Sequence, residues 1–112
     1  MKTEGNAMPT VEFKGNTWNI DEDGFIDDFK NWNEDWVDFV KEKEGIKELT
    51  DDHWTVIRYL QDYYKDNGIA PMIRLLTKKT GYKLKYIYEL FPSGPAKGAC
   101  KMAGLPKPTG CV

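Results

Sequence analysis

Cysteine and histidine are scarce in this chain, with two of the first and one of the second among 112 residues. A structural zinc site takes four Cys or His ligands, so Cys100, Cys111 and His53 cannot build one. Asp21-Glu22-Asp23 lacks the ligand spacing and closing Glu of a calcium loop and reads better as a turn. No metal and no cofactor of the protein's own is therefore expected. Long apolar runs are missing as well. No stretch is long enough to span a membrane, and the N-terminus shows no signal-peptide run, so a cytoplasmic protein is expected. In that compartment a disulfide is more often transient and redox-active than structural, which makes the two cysteines candidates for chemistry. No Ser, Asp or Glu has a spacing that nominates a triad around His53. It falls in the first turn of a helix beside an apolar stripe and reads as a packing or hydrogen-bonding residue.

Acidic residues nearly vanish from the second half. Residues 67–112 carry one acidic and eight basic side chains, whereas residues 1–66 carry 17 acidic and eight basic ones. The net charge of −2 hides this polarity. A basic end suits an anion, an acidic protein surface or nucleic acid, and equally a dipolar soluble domain with no such partner.

What is present is enough for one folded domain, since 40 % of residues are hydrophobic and four are Trp. Residues 1–8 read as a disordered leader, 9–104 as a single domain and 105–112 as a mobile C-terminal arm. The expected class is α+β and mostly helical, with a small N-terminal β-meander packed on about five helices. Val11–Phe13 and Thr17–Ile20 alternate around Lys14-Gly15-Asn16 as a hairpin, and Phe25-Ile26 supplies a short third strand. Asn33 caps a helix over 34–44 with Trp36, Val37, Phe39 and Val40 on its apolar face. Thr50 caps a second over about 51–66, whose core stripe is read as Trp54, Ile57, Leu60 and Tyr64. Pro71 opens a third helix to about Thr80, and Lys83–Phe91 forms a fourth, a helix-turn-helix-like pair. Arg74, Lys78, Lys79, Lys83 and Lys85 would suit phosphate contacts. The fourth helix, however, offers no Asn, Gln or Arg to base edges, and packing is expected to take most of it. Pro95–Ala103 is a short helix carrying Cys100 and ended by Gly104.

The last residues carry the strongest signal. Gly104, Pro106, Pro108 and Gly110 exclude regular structure and leave a strap with Cys111 one residue from its end. Eleven residue steps place Cys111 at most roughly 36 to 40 Å from Cys100, so it can reach into a partner. It can also fold back, because a disulfide between the two closes a short, entropically inexpensive loop. Lys97, Lys101 and Lys107 favour a thiolate nearby, and the Val112 carboxylate opposes it. Together with Arg74 they are also candidates for holding an anion or docking an acidic rim, and equally form a solvated basic face.

Residues 86–112, YIYELFPSGPAKGACKMAGLPKPTGCV, resemble the C-terminus of the DsrC family, once called the gamma subunit of dissimilatory sulfite reductase and related to the TusE sulfur-relay proteins. The resemblance extends upstream through Asp21-Glu-Asp-Gly-Phe25, His53-Trp54 and Gly68-Ile-Ala-Pro71. Both family cysteines are present, and Cys100 favours DsrC proper over relatives that keep only the penultimate one. The resemblance implies that Cys111 accepts sulfite-derived sulfur inside a sirohaem sulfite reductase. It implies further that a trisulfide then bridges Cys111 and Cys100, and that a membrane complex related to heterodisulfide reductases reduces it and releases sulfide. The protein is then a co-substrate rather than an independent enzyme. Two other readings stay open: a persulfide relay for tRNA thiolation using Cys111 alone, and a redox-sensing DNA-binding regulator using residues 71–91.

Overall fold

The computed structural model describes residues 9–108. The leader expected over 1–8 and the end of the arm, with Cys111, lie outside the described residues.

Strands β1 (Thr10–Phe13) and β2 (Asn16–Asn19) pair antiparallel with Val11 opposite Trp18. Lys14 and Gly15 connect them with φ of 53° and 82°, the left-handed pair that matches the twist of a two-residue hairpin. Asp38 holds Lys14 at 2.8 Å, so the hairpin tip is tied to the first helix. The expected third strand reduces to one bridge, Ile20 with Ile26. The cause is the intervening turn, in which Asp21 Oδ1 accepts from the amides of Asp23 and Phe25, both at 2.9 Å. Phe25 and Ile26 leave it pointing into the core instead of continuing a ladder.

Helix α1 (Glu34–Glu44) starts where the Asn33 side chain accepts from the Trp36 amide and stops at Gly45. Helix α2 (Asp51–Asn67) begins at Thr50 with reciprocal capping bonds to His53. Its buried face is His53, Val56, Ile57, Leu60 and Gln61, a helical i, i+3, i+4, i+7, i+8 stripe. The expected stripe is thus rotated. Trp54 and Tyr64 flank it, half-buried, with Arg58 against the Trp54 ring and Phe29 against Tyr64. Hydropathy passes over His53 and Gln61, yet both take core positions because each finds buried hydrogen-bond partners.

Helix α3 (Ile73–Thr80) starts two residues later than its proline suggested, with Met72 as the cap and Pro71 buried ahead of it. Helix α4 (Leu84–Leu90) follows Gly81. Ile87 and Leu90 pack inward, but Leu84 and Tyr88 are exposed, so packing takes only one side of this helix. Lys78, Lys79, Lys83, Lys85 and Arg74 all face solvent. The chain ends with a wide turn, Pro95–Cys100, in which the Lys101 amide reaches back five residues to the Ala96 carbonyl, and with α5 (Lys101–Ala103). This terminal unit lies against α1 and α2 and completes the core, with Ala99, Cys100, Met102, Ala103 and Leu105 all buried. The architecture is mostly helical with one small hairpin. Leu105, assigned from sequence to the mobile arm, is fully buried, and its amide donates to the Cys100 carbonyl at 3.1 Å.

Candidate functional site

The Gly104 amide donates to the Lys101 carbonyl at 3.1 Å, but so short a helix as α5 gives the Met102 and Ala103 carbonyls no helical partner, and in a core such orphans are costly. Three side chains complete the set. Trp36 Nε1 donates to the Lys101 carbonyl at 2.7 Å, Trp32 Nε1 to the Met102 carbonyl at 2.9 Å, and Gln61 Nε2 to the Ala103 carbonyl at 3.0 Å. Trp36, read as a core aromatic, is fully buried, Trp32 packs half-buried against the core, and both are also donors that fix the segment after Cys100. Gly104 completes the clamp. It sits at φ +83°, and a Cβ there would meet the Trp32 ring at 2.5 Å.

Cys100 is a free thiol in this clamp, 3 % exposed. Burial alone pushes its thiol up to about 12, so at neutral pH it is protonated and a poor nucleophile. The lysines expected to favour the thiolate do not act on Cys100. They gather instead around Asp23. Lys107 Nζ lies 2.7 Å from Asp23 Oδ2, and this bond, with the charges of Lys107, Lys97 and Lys101, holds the Asp23 carboxyl below the usual range. Lys101 also lies 5.1 Å over the Phe25 ring. Lys97 and Lys107 line one open cleft of about 300 Å³ with Phe25, Tyr88, Pro95 and Pro108. Arg74 is elsewhere, on a cleft with Tyr63, Met72, Leu75 and Lys78. The structure therefore brings together three of the four basic candidates and separates the fourth. Cys111, the proposed working thiol, lies outside the described residues. Its tether is shorter than the sequence suggested, because the chain is packed as far as Leu105. Six residue steps beyond that point give a reach of roughly 20 to 22 Å.

Two positioning networks brace α2 against α4; His53 was read from sequence as a packing or hydrogen-bonding residue and Thr50 as a cap, but their distant partners were not legible. His53 Nδ1 accepts from the Thr50 amide at 3.0 Å, so the proton sits on Nε2, which donates to the Leu90 carbonyl at 2.8 Å. The imidazole joins the start of α2 to the end of α4, and desolvation holds its pKa down. On the same first turn of α2, the Asp52 carboxylate accepts from the hydroxyls of Tyr82 and Tyr86, pinning α4 from its other end. Among the described residues no group of His, Cys, Asp and Glu is arranged to hold a metal ion. None of their helices is long and apolar enough to cross a membrane.

Comparison with known proteins identifies the frame. The family model described as DsrC like protein matches residues 12–112. The chain belongs to the DsrC family. Within it, this member is 63 % identical over 105 residues to the dissimilatory-type sulfite reductase subunit gamma of Nitratidesulfovibrio vulgaris, covering 94 % of this chain and 100 % of that one. It is 40 % identical over 109 residues to the sulfurtransferase TusE of Pectobacterium atrosepticum, covering 91 % and 99 % respectively. Its backbone superposes on a chain in a crystal structure of dissimilatory sulfite reductase I with a TM-score of 0.87 at 62 % identity, over 93 % of this chain and 100 % of that one. The mostly helical fold with its small hairpin is thus the DsrC fold.

Proposed function

We propose that this DsrC-family protein is a cytoplasmic sulfur carrier and a protein co-substrate of dissimilatory sulfite reductase. Cys111 accepts the sulfite-derived sulfur. That sulfur arrives reduced by the reductase only to the S(II) level, so the thiols of Cys111 and Cys100 each displace one of its oxygens as water and close a trisulfide without a further oxidant; reduction by a separate membrane heterodisulfide-reductase-like complex then restores both thiols and releases sulfide, with two electrons for each of the two sulfur–sulfur bonds broken. The observation that carries this reading is the asymmetry of the two cysteines. Cys100 is clamped, protonated and buried, whereas Cys111 follows it on a Pro- and Gly-rich tether. Such a pair separates the two jobs, a delivering thiol and a thiol that engages only when its own turn opens. The high identity to a sulfite reductase gamma subunit favours the reductase as the partner. Replacing Cys111 by Ala should abolish loading of sulfur onto the protein, read as trisulfide by intact mass after turnover with the reductase, and unchanged loading would reject the reading.

The burial of Cys100 also favours a second reading, in which Cys111 acts alone as a persulfide relay like the similar sulfurtransferase. Here Cys100→Ala leaves sulfur transfer intact, which separates the two.

A further inference from the structure

The stretch that carries Cys100 hangs between two anchors. His53 Nε2 donates to the Leu90 carbonyl at 2.8 Å on one side, and Trp36 Nε1 donates to the Lys101 carbonyl at 2.7 Å on the other. Among the described residues, one side chain from the rest of the chain is hydrogen-bonded to residues 91–100 between them. It is Glu44, the last residue of α1, whose Oε1 accepts from the Ser93 amide at 2.8 Å and whose Oε2 accepts from the Ser93 hydroxyl at 2.6 Å. The same carboxylate touches the wide turn itself. A Cβ on Gly98 would fall 3.1 Å from Glu44 Oε1 and 2.9 Å from Phe91 Cβ, so only glycine lets the turn close this tightly over both. His53 and Trp36, the donors at the anchors, are buried. Glu44 is half-buried and Ser93 exposed, so the tie between them is open to solvent. The other forces on the stretch are modest. A turn closed by bonds reaching back five residues is rare and has no regular helix to support it, and the side chains it buries, Pro95, Ala99 and Cys100, are small.

We propose that Glu44 is a positioning residue for Cys100: its two bonds to Ser93 hold residues 92–100 over the buried thiol, and their release exposes Cys100 by a local opening between the Leu90 and Lys101 anchors while the rest of the fold stays intact. The proposal rests on the reading of Cys100 as the second working thiol, which has to leave the core before it can meet any sulfur. Bonds to an ionised carboxylate are about twice as strong as neutral ones, so a single side chain is enough to set the closed state of so short a stretch. Because the anchors lie outside that stretch, opening it breaks neither the His53 bond nor the Trp36 bond. The exposed surface is then small, and the opening has the character of a local fluctuation rather than of unfolding.

The test uses the full chain carrying Cys111→Ala, in which Cys100 is the only thiol. The Cys100 thiolate displaces iodide from iodoacetamide. Under native conditions the rate is the opening equilibrium multiplied by the rate of the freely exposed thiol, which is measured in denaturant. In this parent the native rate should stay nearly level up to about 1 M urea, because a local opening exposes little surface. Glu44→Ala should raise it about tenfold or more, through loss of both bonds to a charged group. Ser93→Ala keeps the amide bond and should raise it less, by about three- to tenfold. The variant with both changes should match Glu44→Ala, since the two act on one tie. Glu44→Gln keeps an acceptor for the Ser93 amide and should stay closer to the parent than Glu44→Ala does. A parent rate that climbs with urea as steeply as global unfolding, a Glu44→Ala rate equal to the parent, or effects of Glu44 and Ser93 that add in the double variant would each overturn the proposal. Because sulfur transfer is not measured, failure of this tie and failure of the carrier reading are separate results.

Discussion

The indole of Trp36, near the start of α1, donates to the carbonyl of Lys101, the residue that follows Cys100, at 2.7 Å across 65 positions of sequence. With the parallel bond from Trp32 to Met102, it makes the segment carrying the buried thiol part of the core. Replacing Trp32 by Phe keeps an aromatic ring but leaves the Met102 carbonyl unpaired. The variant should lose about 1–3 kcal/mol of stability, read from urea unfolding, and its Cys100 should become more accessible to alkylation. Unchanged stability would show that the bond does not hold the segment.

Gly104 makes the same point through backbone geometry. Its φ of +83° disfavours any side chain, and a Cβ would strike Trp32. Gly104→Ala should cost about 1–3 kcal/mol, whereas an alanine that merely filled open space would not. A urea midpoint equal to wild type contradicts the clamp.

The two thiols should differ sharply towards maleimide. With its pKa at about 12, Cys100 is almost wholly protonated at pH 8. An ordinary exposed cysteine has its pKa near 8.5, so the thiolate fraction of Cys100 is smaller by roughly three orders of magnitude. In the native protein Cys111 should be modified quickly and Cys100 only through opening of its turn, as peptide mapping can follow. In denaturant both should react alike. Equal native rates would mean that Cys100 is not held as described.

Much of this was legible in the sequence. The hairpin, the Asn33 and Thr50 caps and the glycine stops depend on local chemistry, and the structure has them within a residue or two. The face of α2 was misread because His53 and Gln61 are polar. Only the distant carbonyls of Leu90 and Ala103 make their burial affordable, and no local window contains those partners. The meeting of the lysines with Asp23 was hidden for the same reason: Lys107 is close to the cysteines in sequence, but its described partner is 84 residues away. The anchoring role of Trp32 and Trp36 was equally hidden, since hydropathy records a tryptophan's ring and not the direction of its N–H.

Acid should weaken the fold in two stages. His53 has a lowered pKa in the folded state, so the unfolded chain binds its proton more readily. Its contribution is complete above the unfolded value near 6.5 and is lost as pH falls from there towards the folded value. Asp52 and Asp23 are lowered as well, by the tyrosine hydroxyls and by Lys107 respectively, so their contributions are lost only further down, as pH falls below about 3.8 through their folded values. Urea midpoints measured between pH 7 and pH 5 should decline in the wild type and stay flatter in His53→Gln. Parallel slopes would remove His53 from the titration.

The most direct measurement is the intact mass of the protein after turnover with sulfite, reductant and the sirohaem sulfite reductase, made in parallel on wild type, Cys100→Ala and Cys111→Ala. A gain of one sulfur atom in the wild type that requires both cysteines is the predicted result. Sulfur gained by Cys100→Ala as readily as by wild type would leave Cys111 as a lone persulfide carrier, and no gain in any of the three proteins would contradict sulfur carriage altogether.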